Sequence, residues 1–223
     1  MSDVRARSLL VVAAHPDDET LGCGGLIART AREGGRVSIL VLTEGSTAQY
    51  PDRPDLVEAK EQQARQAATH LGAESVEFAR LPDMALSRLS PSHLNEPVEA
   101  AVGNVKPELV AVHHHGDLNR DHTLANEAAR VASRPGTGVR SLITYETLSS
   151  SAWGQGSFRP DLYFSLDSRD LEAKIEAFRI YETEVREFPH PRSPEAIRHL
   201  AATRGAEAGF HLAEAYQSVW HRV

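Results

Sequence analysis

Runs of apolar residues recur along the first 150 positions, and each is followed by a stretch whose apolar residues return every three or four places. The runs SLLVVAA (8–14), RVSILVLT (36–43), SVEFA (75–79), ELVAVH (108–113) and SLITYE (141–146) read as strands. The stretches between them, 20–33, 54–71, 91–104 and 122–132, read as helices. The first, second and fourth runs are almost continuously apolar, as strands covered on both faces should be. Local punctuation agrees: EGG closes the first helix, HLGA closes the second, and Pro91 opens the third behind Ser90 as cap. The alternation predicts an α/β fold, a Rossmann-like, doubly wound and mostly parallel sheet with strand order about 3-2-1-4-5.

Beyond residue 147 the pattern changes. LSSSAWGQGSFRP is a polar, Gly- and Ser-rich loop, too long for a tight turn. A C-terminal strand, LYFSL (162–166), then precedes helical stretches at 168–185 and 193–210, and Leu171, Ile175, Phe178 and Tyr181 form one apolar face of the former. The chain reads as a single domain over 1–223, with an α/β core at 1–147 and a loop, strand and helices at 148–223 that complete the substrate site. Its 223 residues, 41% hydrophobic, suffice for one sizeable core.

Charge and cysteine usage narrow the chemistry. With 31 acidic residues against 24 Lys and Arg, the net charge of −7 argues against a nucleic-acid partner. No segment reaches the roughly 20 apolar residues of a membrane span, and MSDVRARS runs into a short strand rather than a signal-peptide core, so a cytoplasmic protein is expected. The single cysteine, Cys23, excludes a disulfide framework and a cysteine metal cluster and reads as packing. Any metal must be held by His and carboxylates.

The stretch AAHPDDET (13–20) places one histidine and three consecutive acids at the end of the first strand, where ligands bind in open α/β sheets. Carboxylates at the start of a helix are favoured by its dipole by about 0.3–1 kcal/mol each, which accounts for one acid and not for three with a histidine. His15 and Asp18, three apart, can converge on one point while Asp17 is directed elsewhere. HHHGDLNRDH (113–122) follows the fourth strand, which neighbours the first in this order. His122 would complete a His, Asp, His set with an open position, the arrangement of a catalytic zinc. Asp121 beside it would orient a ligand or cap the helix.

AAHPDDETLGCGGLIAR, the TEG loop at 43–45 and DLNRDH together resemble the LmbE-like, or PIG-L, family of zinc-dependent N-deacetylases, and YETLSSSAW and RGAEAGFHLAEAY extend the similarity over most of the chain. The resemblance implies one Zn2+ on His15, Asp18 and His122, Asp17 as general base, and a small N-acetylated glucosamine derivative or glycoside as substrate. The chemistry is coherent: zinc activates water and polarises the acyl oxygen, and Asp17 carries a proton from water to the leaving amine. One position departs from the family pattern. Where many members have a second histidine three residues before the last ligand, this chain has Asn119, which donates a hydrogen bond but delivers no proton at neutral pH. Either Asn119 is a neutral oxyanion donor, or turn chemistry explains it and one of His113, His114 and His115 takes the cationic role, His115 ranked first as nearest the loop.

The substrate-binding candidates are Lys60, where relatives often have an arginine, Ser149 and Trp153 in the Ser-rich loop, and Arg204 and Glu214 in the terminal stretch. For Lys60 the competing reading is a solvated helix face, and for Arg204 and Glu214 a structural ion pair. Rival functions are a two-metal phosphoesterase recruiting Asp17 and Asp117, or a catalytically silent metal or sugar binder. A dinucleotide-binding module fails, since the third glycine of G-x-G-x-x-G falls at Ile27. Oligomeric state is not encoded legibly; a homo-oligomer is compatible with the sequence.

Overall fold

The computed structural model of the chain describes residues 7–222; the N-terminal segment expected to carry no targeting signal lies largely outside the described residues. Strands β1 (Ser8–Ala13), β2 (Arg36–Thr43), β3 (Ser75–Leu81), β4 (Leu109–His113) and β5 (Ser141–Tyr145) run parallel in the order 3-2-1-4-5. They alternate with helices α1 (Asp18–Arg32), α2 (Asp55–Leu71), α3 (Pro91–Val105) and α4 (Arg120–Ala132). The two-residue period of β1 divides the core: Leu9 and Val11 pack with α1 and α2, and Leu10 and Val12 with α3 and α4. Both faces are therefore covered, as the continuous apolar runs require.

The C-terminal part contributes β6 (Leu162–Ser165), α5 (Ser168–Arg179), α6 (Pro194–Ala208) and β7 (Ala213–His221). Strand β7 was not expected from the pattern. It lies between β5 and β6, antiparallel to both, so the sheet has seven strands in the order 3-2-1-4-5-7-6. Its polar Glu214 disguises a buried strand, because that carboxylate is neutralised by Lys174 at 2.6 Å. The expected helix at 168–185 stops at Arg179. The following turns carry Tyr181 to Glu19 and Glu184 to Lys60, tertiary partners that a continued helix would have to abandon.

At the sheet's carboxyl edge, β1 and β4 are direct neighbours, with Leu9 opposite Leu109 and Val12 opposite Val112. The loops after them meet at the point where strand order reverses. Helix α1 presses closely against β5: a Cβ on Gly22 would lie 2.1 Å from the Tyr145 ring. Tyr145 is fully buried and its hydroxyl donates to the Val12 carbonyl at 2.9 Å, so the ring has little freedom to retreat. Gly22→Ala is expected to lower unfolding stability by about 1–3 kcal/mol despite alanine's better helix propensity. Urea denaturation of the metal-free protein measures this; an unchanged or raised midpoint would show that the contact relaxes freely.

Candidate functional site

The site begins where β1 ends. Asp17 caps α1 in the left-handed region, φ 117°, an unusual conformation for a non-glycine residue. The Glu19 carboxylate holds it there by accepting the Asp17 backbone N–H at 3.0 Å, and itself accepts from Thr20 and Tyr181 hydroxyls. The turn separates two adjacent acids. Asp18 faces inward among histidines, while Asp17 faces the cleft and pairs with Arg192 at 3.1 Å.

Three donor atoms converge on one point. Asp18 Oδ2 lies 3.0 Å from His15 Nδ1 and 3.3 Å from His122 Nε2, and the two ring nitrogens are 3.3 Å apart. Ligands held about 2.0–2.2 Å from a tetrahedral centre lie roughly 3.3–3.5 Å from one another, so the triangle fits a small divalent cation. His15, Asp18 and His122 therefore form a candidate metal-binding set. Three buried atoms beside it, Asp18 Oδ1, His15 Nε2 and Asp121 Oδ2, have no hydrogen-bond partner. Burial opposes protonation of His15, but the neighbouring carboxylates of Asp121, Asp18 and Asp83 prevail and raise its pKa to about 10. His122 is likewise raised against the effect of burial, chiefly by the Asp18 charge. The cluster thus favours positive charge, which a metal ion would supply.

A surrounding layer fixes the ligands. His122 Nδ1 meets Asp117 Oδ1 at 3.2 Å, which leaves Nε2 free to ligate. Asp117 also accepts the Asn119 backbone N–H and the hydroxyls of Ser150 and Ser151. Burial pushes its carboxyl up, but bonding to His122 outweighs that and brings it down to about 2. Behind His15, Asp83 and Asp121 lie 3.5 and 3.6 Å from Nε2. Neither Asp17 nor Asp117 joins this cluster; a second group of converging donor atoms, on His15, Asp83 and Asp121, shares His15 with it.

Several expected roles move. His115, ranked first among the three histidines, is exposed on the turn after β4 and stacks on His114, away from the cleft. His113, the last residue of β4, is instead buried, its ring stacked on His122 at 3.8 Å between centroids. Its Nε2 accepts the Ala14 N–H and its Nδ1 meets Thr147, while burial and His122 push its pKa down to about 3, leaving a neutral packing group. Asn119, not Asp121, caps α4, its side-chain oxygen accepting the Asp121 N–H. Asp121 instead accepts the Leu86 N–H and faces His15.

Lys60 is buried, contrary to the solvated-face alternative, with Nζ donating to the Gly45 carbonyl at 2.7 Å and to Glu184 at 2.8 Å. Ser149 accepts from Arg192. Trp153 is 60% exposed and does not line the cleft. Arg204 and Glu214 are not at this site: Arg204 grips Glu146 in a two-pronged pair, and Glu214 is consumed by the Gly25 and Leu26 N–H groups, Lys174 and Tyr216. Glu214's four donors leave no capacity for a ligand. The residues that sequence reading missed are Asp83, Glu184 and Arg192. Asp83 follows a strand end and so had a positional signal; Glu184 and Arg192, after α5, had none.

The cleft over the cluster has a volume of about 480 Å³ and is walled by His15, Asp17, Gln49, Asn119 and Arg192, with Lys60 and Glu184 at its side. Fold and site together define a doubly wound α/β protein with a candidate metal centre at its switch point. The family model described as "PIG-L: GlcNAc-PI de-N-acetylase" matches residues 10–133, and the chain belongs to this family. It is 26% identical over 184 residues to the uncharacterized deacetylase YaiS of Escherichia coli (strain K12), covering 80% of this chain and 92% of that one. It is 28% identical over 232 residues to the 1D-myo-inositol 2-acetamido-2-deoxy-alpha-D-glucopyranoside deacetylase of Kineococcus radiotolerans, covering 91% of this chain but 58% of the relative. Among solved structures, GalB, the 4-carboxy-2-hydroxymuconate hydratase from Pseudomonas putida KT2440, is 25% identical with a TM-score of 0.77 and 97% of both chains covered. The N,N'-diacetylchitobiose deacetylase of Pyrococcus horikoshii shares the fold at a TM-score of 0.77 and 16% identity, covering 96% of this chain and 84% of that one. No helix among the described residues is long and apolar enough to cross a membrane.

If Asp117 sets the orientation of His122, Asp117→Asn should weaken metal binding by about 10–100-fold. Competition with a chromogenic chelator measures it. Unchanged affinity would show that the contact is incidental.

Proposed function

We propose that the protein is a zinc-dependent N-deacetylase acting on the acetamide of an N-acetylglucosamine-type sugar or glycoside. The observation that carries this reading is the division of labour between adjacent acids: Asp18 turns into the His15–His122 triangle while Asp17 faces the cleft beside it. Family membership and the two deacetylase relatives support the reaction class. His15, Asp18 and His122 would hold the metal, and their nitrogen and oxygen donor set suits zinc. The metal, when bound, supplies Lewis acidity, polarising the acyl carbonyl and making water nucleophilic at neutral pH.

The chain's own groups do the rest. Asp17, close to the cluster yet outside it, is placed to take a proton from the attacking water and return it to the departing amine. Burial raises its pKa to about 7, with Arg192 opposing the rise. Asp117, Asp83 and Asp121 hold the two ligand imidazoles in orientation. Gln49, Asn119 and Arg192 offer polar groups to a sugar in the cleft, and Trp153 lies outside on the exposed loop.

A second reading, water addition to an unsaturated carboxylate, is favoured by the fold-wide likeness to GalB. Release of free amine separates the two. A fluorescamine screen of zinc-loaded protein over N-acetylated sugars, nucleotide sugars and glycosides should give turnover with at least one. Asp17→Asn should keep its metal and lose about 10²–10⁴-fold in rate, the usual contribution of a positioned proton carrier. No amine release from any compound would count against deacetylation; near-normal turnover by the variant would remove Asp17 as base.

A further inference from the structure

Amide hydrolysis places negative charge on the acyl oxygen, which a hydrogen-bond donor beside the cleft would have to meet. The described groups near the cleft leave few candidates. Asn119 spends its side-chain oxygen on the Asp121 N–H, and its amide nitrogen meets only the Met84 sulfur, at 3.6 Å. His113 accepts the Ala14 N–H at the nitrogen nearest Asp18 and meets Thr147 with the other, so both ring nitrogens are engaged. His115 faces away on an exposed turn. Lys60 has its ammonium buried between Gly45 and Glu184.

Arg192 differs from all of these. A guanidinium carries five N–H donors in a rigid plane. Nε donates to Ser149 Oγ at 3.0 Å and Nη1 donates to Glu184 Oε2 at 2.5 Å, while Nη1 also lies 3.1 Å from Asp17 Oδ2 as an ion pair. The two hydrogen bonds fix the plane, and the Asp17 charge lies against Nη1. The two donors on Nη2 have no partner among the described residues, and the side chain, 24% exposed, lines the cleft beside Asp17. This is a cation held at Nε and Nη1, with the Nη2 edge free, next to the proton carrier.

We propose that Arg192 is a catalytic residue of this site, donating from Nη2 to the oxyanion of the tetrahedral intermediate. The proposal rests on the deacetylase reading above. As water oxygen bonds to the acyl carbon, the carbonyl π pair moves onto oxygen and Asp17 takes the water proton. That oxygen then accepts from Nη2. When its pair returns to re-form the carbonyl, the C–N bond breaks, nitrogen receives the proton from Asp17, and acetic acid and the free amine result. Because Nη1 lies beside Asp17, the guanidinium spans proton carrier and oxyanion. Glu184 is the positioning residue that holds it, itself held by Lys60.

Three arms test the assignment on the zinc-loaded full chain. On the compound the wild type turns over best, Arg192→Met should lose about 10²–10³ in kcat with KM and metal content little changed, the loss seen when one oxyanion donor is removed. Arg192→Lys should recover part of the rate, and methylguanidinium should restore turnover to Arg192→Ala, a response that purely structural damage does not give. Independently of turnover, calorimetry with acetate, whose carboxylate resembles the oxyanion, should show affinity lowered roughly tenfold or more in Arg192→Met, as loss of a charge-assisted hydrogen bond requires. A kcat close to wild type in Arg192→Met, absence of rescue, or unchanged acetate affinity would each overturn the proposal. Should the wild type release no amine at all, the deacetylase reading fails while the acetate measurement still decides whether Arg192 binds an oxyanion.

Discussion

The structure is organised around one electrostatic demand: a carboxylate with no exposure, Asp18, at the junction of two strand ends. Burying an ion costs several kcal/mol even after relaxation unless opposite charge and hydrogen bonds meet it. Asp18 accepts the His15 backbone N–H at 2.9 Å and faces three imidazoles through Oδ2, while Oδ1 has no partner. Burial opposes its ionisation, but the His122 and His113 rings hold the carboxyl well below its ordinary range. An ionised group in that setting calls for a cation, and the fold meets the demand by bringing the loops after β1 and β4 together. Their adjacency in the sheet is therefore as much a part of the centre as the ligands.

A chain of alternating charge continues from the centre into the cleft. Asp17, Arg192, Glu184 and Lys60 pair in succession, and every member but Arg192 is almost wholly buried. Such pairs stabilise little in themselves, since desolvation consumes much of their attraction, but breaking one leaves an uncompensated charge. Their effect is to fix position. Lys60 ties α2 to the segment after α5, and that segment carries Arg192 to the end of β1. The helix break at Arg179 is what makes this reach possible: residues beyond it leave the helical path, and Tyr181 and Glu184 become struts under the Asp17 turn.

How much of this was legible in sequence depended on distance along the chain. The parallel core could be read because each strand and helix announces itself by local period, and the order 3-2-1-4-5 follows from how βαβ units wind. HPDDE and the downstream DH were legible as a candidate metal set because each stands at a strand end. Reading failed where a residue's partner is remote. Glu214 looks like a surface acid until Lys174 and two α1 amides are placed against it. His115 was preferred over His113 by nearness to the loop, but β4 ends at His113 and the chain turns after it, which leaves His113 buried and His115 exposed. Lys60 and Arg192 acquire meaning only through Glu184, 124 residues from Lys60, and no periodicity encodes that pairing. Strand β7 escaped because its first residues interleave a buried charge with small apolar side chains.

X-ray absorption at the zinc edge, with metal analysis of the protein loaded and then desalted, tests the central claim most directly. A cation answering the buried Asp18 charge should be retained at one per chain, with only nitrogen and oxygen neighbours at about 2.0–2.2 Å, two imidazoles among them. Protein that keeps no metal, or holds it through sulfur or without imidazole, would contradict the account.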